Sequence, residues 1–312
     1  MITLGFVYVL SGLAFALFAL LGLLDATNPK RFGNAAFWGL LAMSMLAGDR
    51  LGDFGNGLLV LALVAIAGTG QIGKGPGGDI PAEEQADSAA RHGNFLLLVA
   101  LIIPAVALAG TFLFKWVPGI ADPKQATLIS LALGVLIALA VGMARLRPPL
   151  LLPAQQGRRL LDSVGWAAVL PQMLASLGAV FALAGVGEVV GGLIGGAIPE
   201  GSLFGAVLAF GLGMALFTIV MGNAFAAFPV MIAAIGMPLL IQQYDGNPAV
   251  VAAIGMLAGF CGTLMTPMAA NFNLVPAALL ELKSPYGVIR AQIGTAIPLL
   301  AVNIVFIWLF AF

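Results

Sequence analysis

Long, charge-free apolar runs recur from residues 3–24 at one end of this chain to 293–312 at the other. This feature constrains the fold most. An α-helix needs about 20 consecutive apolar residues to cross the hydrocarbon core of a bilayer. Buried helices of soluble proteins rarely keep that length without a polar face. Hydrophobic residues make up 61% of the chain and charged residues 8%, so too little polar sequence is left for a water-soluble domain. Transmembrane β-strands alternate apolar and polar positions, whereas these runs are continuous, as helices require. The expected fold is all-α, a polytopic transmembrane helical bundle forming a single integral membrane domain over residues 1–312.

The first span is expected at 3–24, followed by a loop at 25–33. Two apolar segments below spanning length, 34–47 and 57–72, flank a polar connector at 48–56 that holds Asp49, Arg50 and Asp53. Either both helices run into the connector as two spans, the working expectation, or they form a hairpin that dips partly into the membrane. Residues 73–93 read as a loop, because Pro and Gly break helices and Glu83 and Glu84 require water. Full spans follow at 94–114 and 127–144, with Trp116 between them as an interfacial anchor. The second half offers 164–184, 203–221, 224–241, an interrupted crossing at 250–280, and 288–312. The total is about 10 spans, with broken or re-entrant helices in the second half.

Arg145, Arg147, Arg158 and Arg159 fall in the proline-rich segment 145–162. The positive-inside rule makes that segment a cytoplasmic loop joining two halves, 1–147 and 163–312. Counting spans from it puts both termini on the periplasmic or extracellular side of a bacterial inner membrane. Lys30 and Arg31 then fall inside, while Lys115 and Lys124 fall outside against the rule.

Composition removes several functions. Thirteen basic residues balance thirteen acidic ones, and no basic patch invites nucleic acid. The single cysteine, Cys261, forms no intrachain disulfide and sits in an apolar setting suited to an inert, packed thiol. No zinc-protease motif, serine–histidine pairing or phosphate loop is present. The expectation is a protein that is not an enzyme, with no metal centre and no cofactor beyond a sodium ion or proton as coupling ion.

Chemistry is sought where apolar segments are interrupted. Proline removes an amide and clashes with the preceding turn, and glycine weakens the helix further. Peptide groups freed at membrane depth must be satisfied by protein or water. In secondary transporters, such breaks hold substrate and coupling ion near the midplane. Three segments qualify: Pro171, Gln172 and Ser176; Asn223 with Pro229; and, richest, Thr263, Thr266, Pro267, Asn271, Asn273 and Pro276. The side chains of Gln172, Ser176, Asn223, Thr263, Thr266, Asn271 and Asn273 are the candidate substrate-binding groups, and the four prolines are the candidate helix breaks. Glu188, among glycines and valines, is the ion-coupling candidate. The glycine-rich stretch 185–205 reads as tight helix packing, a flexible loop or a short re-entrant helix. Gly33-Asn34, Gly55-Asn56 and Gly222-Asn223 form a weak internal echo.

Gly12-Leu13-Ala14-Phe15, the segment from Gly33 to Trp38 and the segment from Met265 to Asn273 resemble a bacterial inner-membrane family labelled only as a domain of unknown function. The resemblance covers nearly the full length. Such proteins tend to be encoded beside a second, smaller membrane protein and near pyroglutamyl peptidase. The resemblance therefore implies transport of 5-oxoproline or a related small organic acid by one or two proteins. The chain is also distantly similar to the ion-transporter superfamily, whose members move carboxylates or cations with an elevator-like motion. That superfamily often marks its binding hairpins with Ser-Asn-Thr, which is absent here; Thr266-Pro267 and Asn271-Phe272-Asn273 are the nearest analogues by chemistry.

The expected function is a secondary transporter, or transporter subunit, for a small carboxylate, coupled to sodium or protons. The competing reading is a noncatalytic membrane scaffold or assembly subunit that binds another membrane protein. The expected partners are membrane lipid, a small carboxylate substrate, and a second copy of the chain or a second membrane protein as a hetero-oligomer.

Overall fold

A computed structural model describes residues 1–76, 80–117, 119–195 and 201–312. The described residues are helical, with no strand beyond an isolated bridge between Ile2 and Ala121. Among the described residues, seven helices are long and apolar enough to cross a membrane: Leu4–Leu24, Arg31–Gly68, Phe95–Trp116, Pro123–Leu146, Leu203–Met221, Ala224–Gln243 and Gly287–Phe310. The expected span count is not reproduced. Residues Arg31–Gly68 form two helical arms joined at a kink, the hairpin alternative for 34–72, while the expected span at 164–184 shortens to a 14-residue helix and the crossing at 250–280 separates into two short helices. The chain divides into two compact units, Met1–Gly165 and Trp166–Phe312.

In the first unit, α1 (Leu4–Leu24) packs along α2 (Arg31–Gly68). Gly12 admits the Leu46 side chain, and the rings of Phe15 and Trp38 stack at 5.7 Å. At Gly52, φ is 62° and ψ is −178°, a combination essentially restricted to glycine. There α2 folds back into a hairpin. Asn56 donates to the freed carbonyls of Gly48 (2.9 Å) and Gly52 (3.0 Å), which secures the tip. At the mouth, Gly33 lies so close to the Gln71 carbonyl that a side chain would collide with it. Asn34, fully buried, donates to the Gly73 carbonyl at 2.8 Å and accepts from its amide at 3.0 Å; Asn28 donates to the same carbonyl at 3.0 Å. Asn34 and Asn56 of the two Gly-Asn pairs in this unit thus bond different backbone groups, one at the mouth of the hairpin and one at its tip. Asn34→Ala removes the side-chain acceptor held by the Gly73 amide. It is expected to cost about 1–3 kcal/mol and lower the melting temperature in detergent; an unchanged melting curve would refute a stapling role for Asn34.

Residues 82–92 form a polar helix, α3 (Ala82–His92), within the expected loop. Helices α4 (Phe95–Trp116) and α5 (Ala126–Leu146) pack closely through Gly134, whose Cβ would lie 2.9 Å from the Ile103 carbonyl oxygen. Trp116 is 83% exposed at the end of α4, as an interfacial anchor requires. Ile2 bonds to Ile120 and Asp122, so the N-terminus lies at the same end of this unit as the α4–α5 connector. Residues 145–162 are not a plain loop: they contain the amphipathic helix α6 (Leu152–Val164), which packs against α1. Arg158 and Arg159, counted above as cytoplasmic charges, are buried in this helix, which leaves Arg145 and Arg147 as its exposed arginines.

The second unit contains α7 (Leu170–Leu183), α8 (Val186–Gly195), α9 (Leu203–Met221), α10 (Ala224–Met231) with a π-helical continuation (Ile232–Gln243), α11 (Pro248–Thr263), α12 (Ala270–Leu279) and α13 (Gly287–Phe310). Its core surrounds Phe210, Met214, Met231 and Ile307, all fully buried. Within 185–205, Gly187 and Gly191 let α8 approach the backbone of Val230 and Ala234, and Gly178 of α7 does the same at Ala226. These glycines serve close helix packing; residues 196–200 of that stretch lie outside the described residues.

Candidate functional site

Two helix breaks meet in the second unit. Helix α9 ends at Met221, where Gly222 takes the left-handed φ of 74°. Asn223 then caps α10, its Oδ1 accepting from the Phe225 amide at 2.8 Å. Helix α11 ends at Thr263, and α12 begins at Ala270 after residues 264–269 leave helical geometry. A Cβ on Gly222 would lie 2.5 Å from the carbonyl carbon and oxygen of Met268, so the two breaks touch through backbone. Phe210 and Met214 of α9 meet Gly255 and Gly259 of α11 in ascending order, so these helices run parallel. Their carbonyl ends converge where the amide ends of α10 and α12 begin.

Part of the freed backbone is satisfied within the chain. Thr266 Oγ1 donates to the Ile219 carbonyl at 2.8 Å and accepts from the Met268 amide at 3.2 Å. Asn273 Nδ2 donates to the carbonyls of Thr263 (2.8 Å) and Thr266 (2.7 Å). Thr263 donates to Phe260 at 2.5 Å. Thr263, Thr266 and Asn273 are therefore buried groups, of which Thr266 ties the second break to α9 and Asn273 holds the second break to itself.

Other groups at the breaks remain open. The cap residue of α12, Ala269, makes no side-chain bond to the helix end. Among the described residues, the Ala270 and Asn271 amides find no acceptor, and the half-buried Asn271 side chain finds no partner. Asn273 Oδ1 and Thr218 Oγ1 are buried without a hydrogen-bond partner. Thr218 was not among the groups expected from sequence. Its signal was a lone hydroxyl in the apolar run of α9.

The remaining candidates are more dispersed. Pro267 lies in the break itself, but Pro229 and Pro276, expected as helix breaks, lie inside α10 and α12 without interrupting them. Pro171 and Gln172 belong to α7, but their side chains lie outside the described residues; Ser176 is exposed on the same helix, which packs against α10 and α12. Glu188 is exposed in the first turn of α8, where the helix dipole favours an acidic group, and takes no part in the hydrogen bonds of the breaks. Cys261 is buried, as expected, with Asn303 donating to its sulfur at 3.5 Å.

The first unit holds a second buried polar cluster, to which no motif pointed. Asp162 of α6 accepts from the Trp38 indole at 2.7 Å and pairs with Arg158 at 3.4 Å. The same Arg158 reaches Asp25 at 2.7 Å. Thr27 donates twice to Asp25 and, together with the Arg158 guanidinium, holds its carboxyl below the ordinary value. Burial pushes Asp162 above its ordinary value, despite the Trp38 and Arg158 bonds that oppose the shift. The i, i+4 spacing of Arg158 and Asp162 was legible in sequence; their partners in α1 and α2 were not.

A family model described as a protein of unknown function (DUF979) matches residues 5–312. The chain belongs to the DUF979 family. No curated protein matches it, and no solved structure does. The resemblance read from the segments at Gly12, Gly33 and Met265 therefore led to a family carried only by a domain-of-unknown-function label, extending over nearly the whole chain.

Proposed function

We propose that this DUF979 protein is a secondary transporter, or the transporter subunit of a pair, for a small organic acid such as 5-oxoproline. It works as a multi-pass protein of a bacterial inner membrane, with the segment carrying Arg145 and Arg147 on the cytoplasmic side. The observation that carries this reading is the direct contact of two broken helix pairs, beside the uncapped amide end of α12.

The chemistry requires no covalent step. A carboxylate at the start of α12 accepts hydrogen bonds from the Ala270 and Asn271 amides and the Asn271 side-chain amide, which replace water around the anion. Asn223, whose Oδ1 is occupied by capping, retains its amide hydrogens for the same solute. Transport follows when the loaded site has comparable free energy facing either side of the membrane, so that two states exchange. Symport with a cation gradient supplies direction.

Proteoliposomes containing the protein, alone and with the neighbouring smaller membrane protein, are expected to accumulate labelled 5-oxoproline under an imposed ion gradient. Asn271→Ala is expected to reduce uptake at least about tenfold, the equivalent of about 1.4 kcal/mol, at unchanged membrane abundance. Equal losses of abundance and uptake would assign Asn271 a structural role instead. Absence of uptake in both preparations would rule out the assignment for this cargo and favour the scaffold reading. Gly178, Gly187 and Gly191 give that scaffold reading little support, because their close contacts are made inside the second unit.

A further inference from the structure

The transport reading leaves two buried oxygens unused, and they lie beside the same helix end. Thr218 Oγ1, on a fully buried residue, would stand 3.3 Å from a Cβ at Gly259, and the Thr218 side chain also closes against Gly262. Asn273, also fully buried, is fixed by its two bonds to Thr263 and Thr266, which leaves Oδ1 without a donor. Both groups border the last turn of α11, where the carbonyl ends of α9 and α11 converge. Burying an oxygen without a partner is costly, so two such oxygens bordering the same helix end point to an occupant that accepts oxygen lone pairs. Helix carbonyl ends carry partial negative charge and favour a cation.

The chemistry of these groups selects the occupant. Residues 218–223 and 262–273 contain no titratable side chain, so no residue there can carry a coupling proton. No group of three or more His, Cys, Asp or Glu residues suited to a metal occurs among the described residues. Divalent cations held by protein oxygens ordinarily require carboxylates. Neutral hydroxyl, amide and carbonyl oxygens instead suit a hard monovalent ion. We propose that Thr218 Oγ1 and Asn273 Oδ1, with the carbonyl ends of α9 and α11, form the sodium site that couples transport at the α9–α12 breaks. This inference rests on the transporter reading for its role in coupling, but not for the existence of the site.

The test uses the full-length protein in detergent without organic acid. Its melting temperature is measured at constant ionic strength in sodium, potassium or choline chloride. Sodium is expected to raise the melting temperature above both other salts. Thr218→Val and Asn273→Ala are each expected to raise the half-saturating sodium concentration at least tenfold. Thr218→Val is the decisive variant, since it preserves side-chain shape. If the hydroxyl is merely buried and idle, valine will be neutral or stabilising and the sodium response will persist, which overturns the proposal. Identical melting of the wild type in all three salts overturns it as well. Uptake that proceeds equally in choline removes sodium coupling while leaving the transporter reading intact. A sodium response that Thr218→Val weakens, in a protein that takes up no acid, supports the site and removes only the transporter reading.

Discussion

Arg158→Ala is expected to destabilise the first unit by about 3–5 kcal/mol. The guanidinium stands between two carboxylates, 2.7 Å from Asp25 and 3.4 Å from Asp162, and its side chain is 7% exposed. Its removal leaves Asp162, which is itself 2% exposed, with the Trp38 indole and the more distant charge of Arg159 to stabilise its ionised form. It also leaves α6 without its ionic tie to the end of α1. The penalty is expected to vary with pH in a defined direction. Asp162 already titrates above 3.8 because of burial, and loss of Arg158 raises it further. An acid raised by folding costs stability at pH values above its folded-state value, and that cost disappears as pH falls toward the unfolded value near 3.8. The deficit of Arg158→Ala should therefore be largest at neutral pH and shrink on acidification. Asp25 adds to the deficit in the same direction, since Arg158 also helps to lower its carboxyl. Its lowered value in the wild type supplies stability that is present above 3.8 and lost as pH falls through the folded-state value. Thermal unfolding of both proteins from neutral to acid pH measures the difference. A deficit independent of pH would show that Asp162 does not carry the effect.

Gly222→Ala is expected to abolish transport. Its φ of 74° places the residue in the left-handed region, where a Cβ costs about 1–2 kcal/mol. The larger obstacle is the neighbour. A Cβ there would meet the Met268 backbone at 2.5 Å, and backbone cannot rotate away as a flexible side chain can. The breaks must separate to admit the methyl group, which pulls Thr266 from Ile219 and moves the start of α12. The expected result is a lower melting temperature together with uptake reduced to background. Gly192→Ala is a suitable control, since among the described residues nothing beyond its own helix backbone and chain neighbours lies within 4 Å of the added methyl. Wild-type uptake and melting in Gly222→Ala would mean that the contact between the breaks is not needed for function.

Thr266, Asn271 and Asn273 were legible as a group because polar residues and prolines are rare in an apolar chain, and their positions coincide with a real interruption at 264–269. Sequence could not divide their roles. Asn273 and Thr266 use hydrogen bonds to hold the backbone, while Asn271, two residues away, keeps its amide open. That division depends on which carbonyls the fold brings within reach. Thr218 escaped notice because one threonine in an apolar helix is ordinary; its unpaired hydroxyl matters only when α11 lies against it.

Segment 145–162 shows the same limit from the other side. Its arginines suggested a hydrated loop, because sequence reports charge but not the counter-charge supplied by Asp25, more than a hundred residues away. Similarly, 34–72 gave two apolar lengths and a polar tip, but only the glycine geometry at Gly52 and the Asn34 bonds to Gly73 folded them into a hairpin.

By itself, the sequence determined the helical class, the candidate membrane segments and the interruption around Pro267. These follow from hydropathy and from the backbone chemistry of glycine and proline, which act locally. Tertiary structure decided which breaks meet, which buried charges are paired and which polar atoms remain open. Those depend on contacts between residues distant in the chain, and local preference does not encode distance.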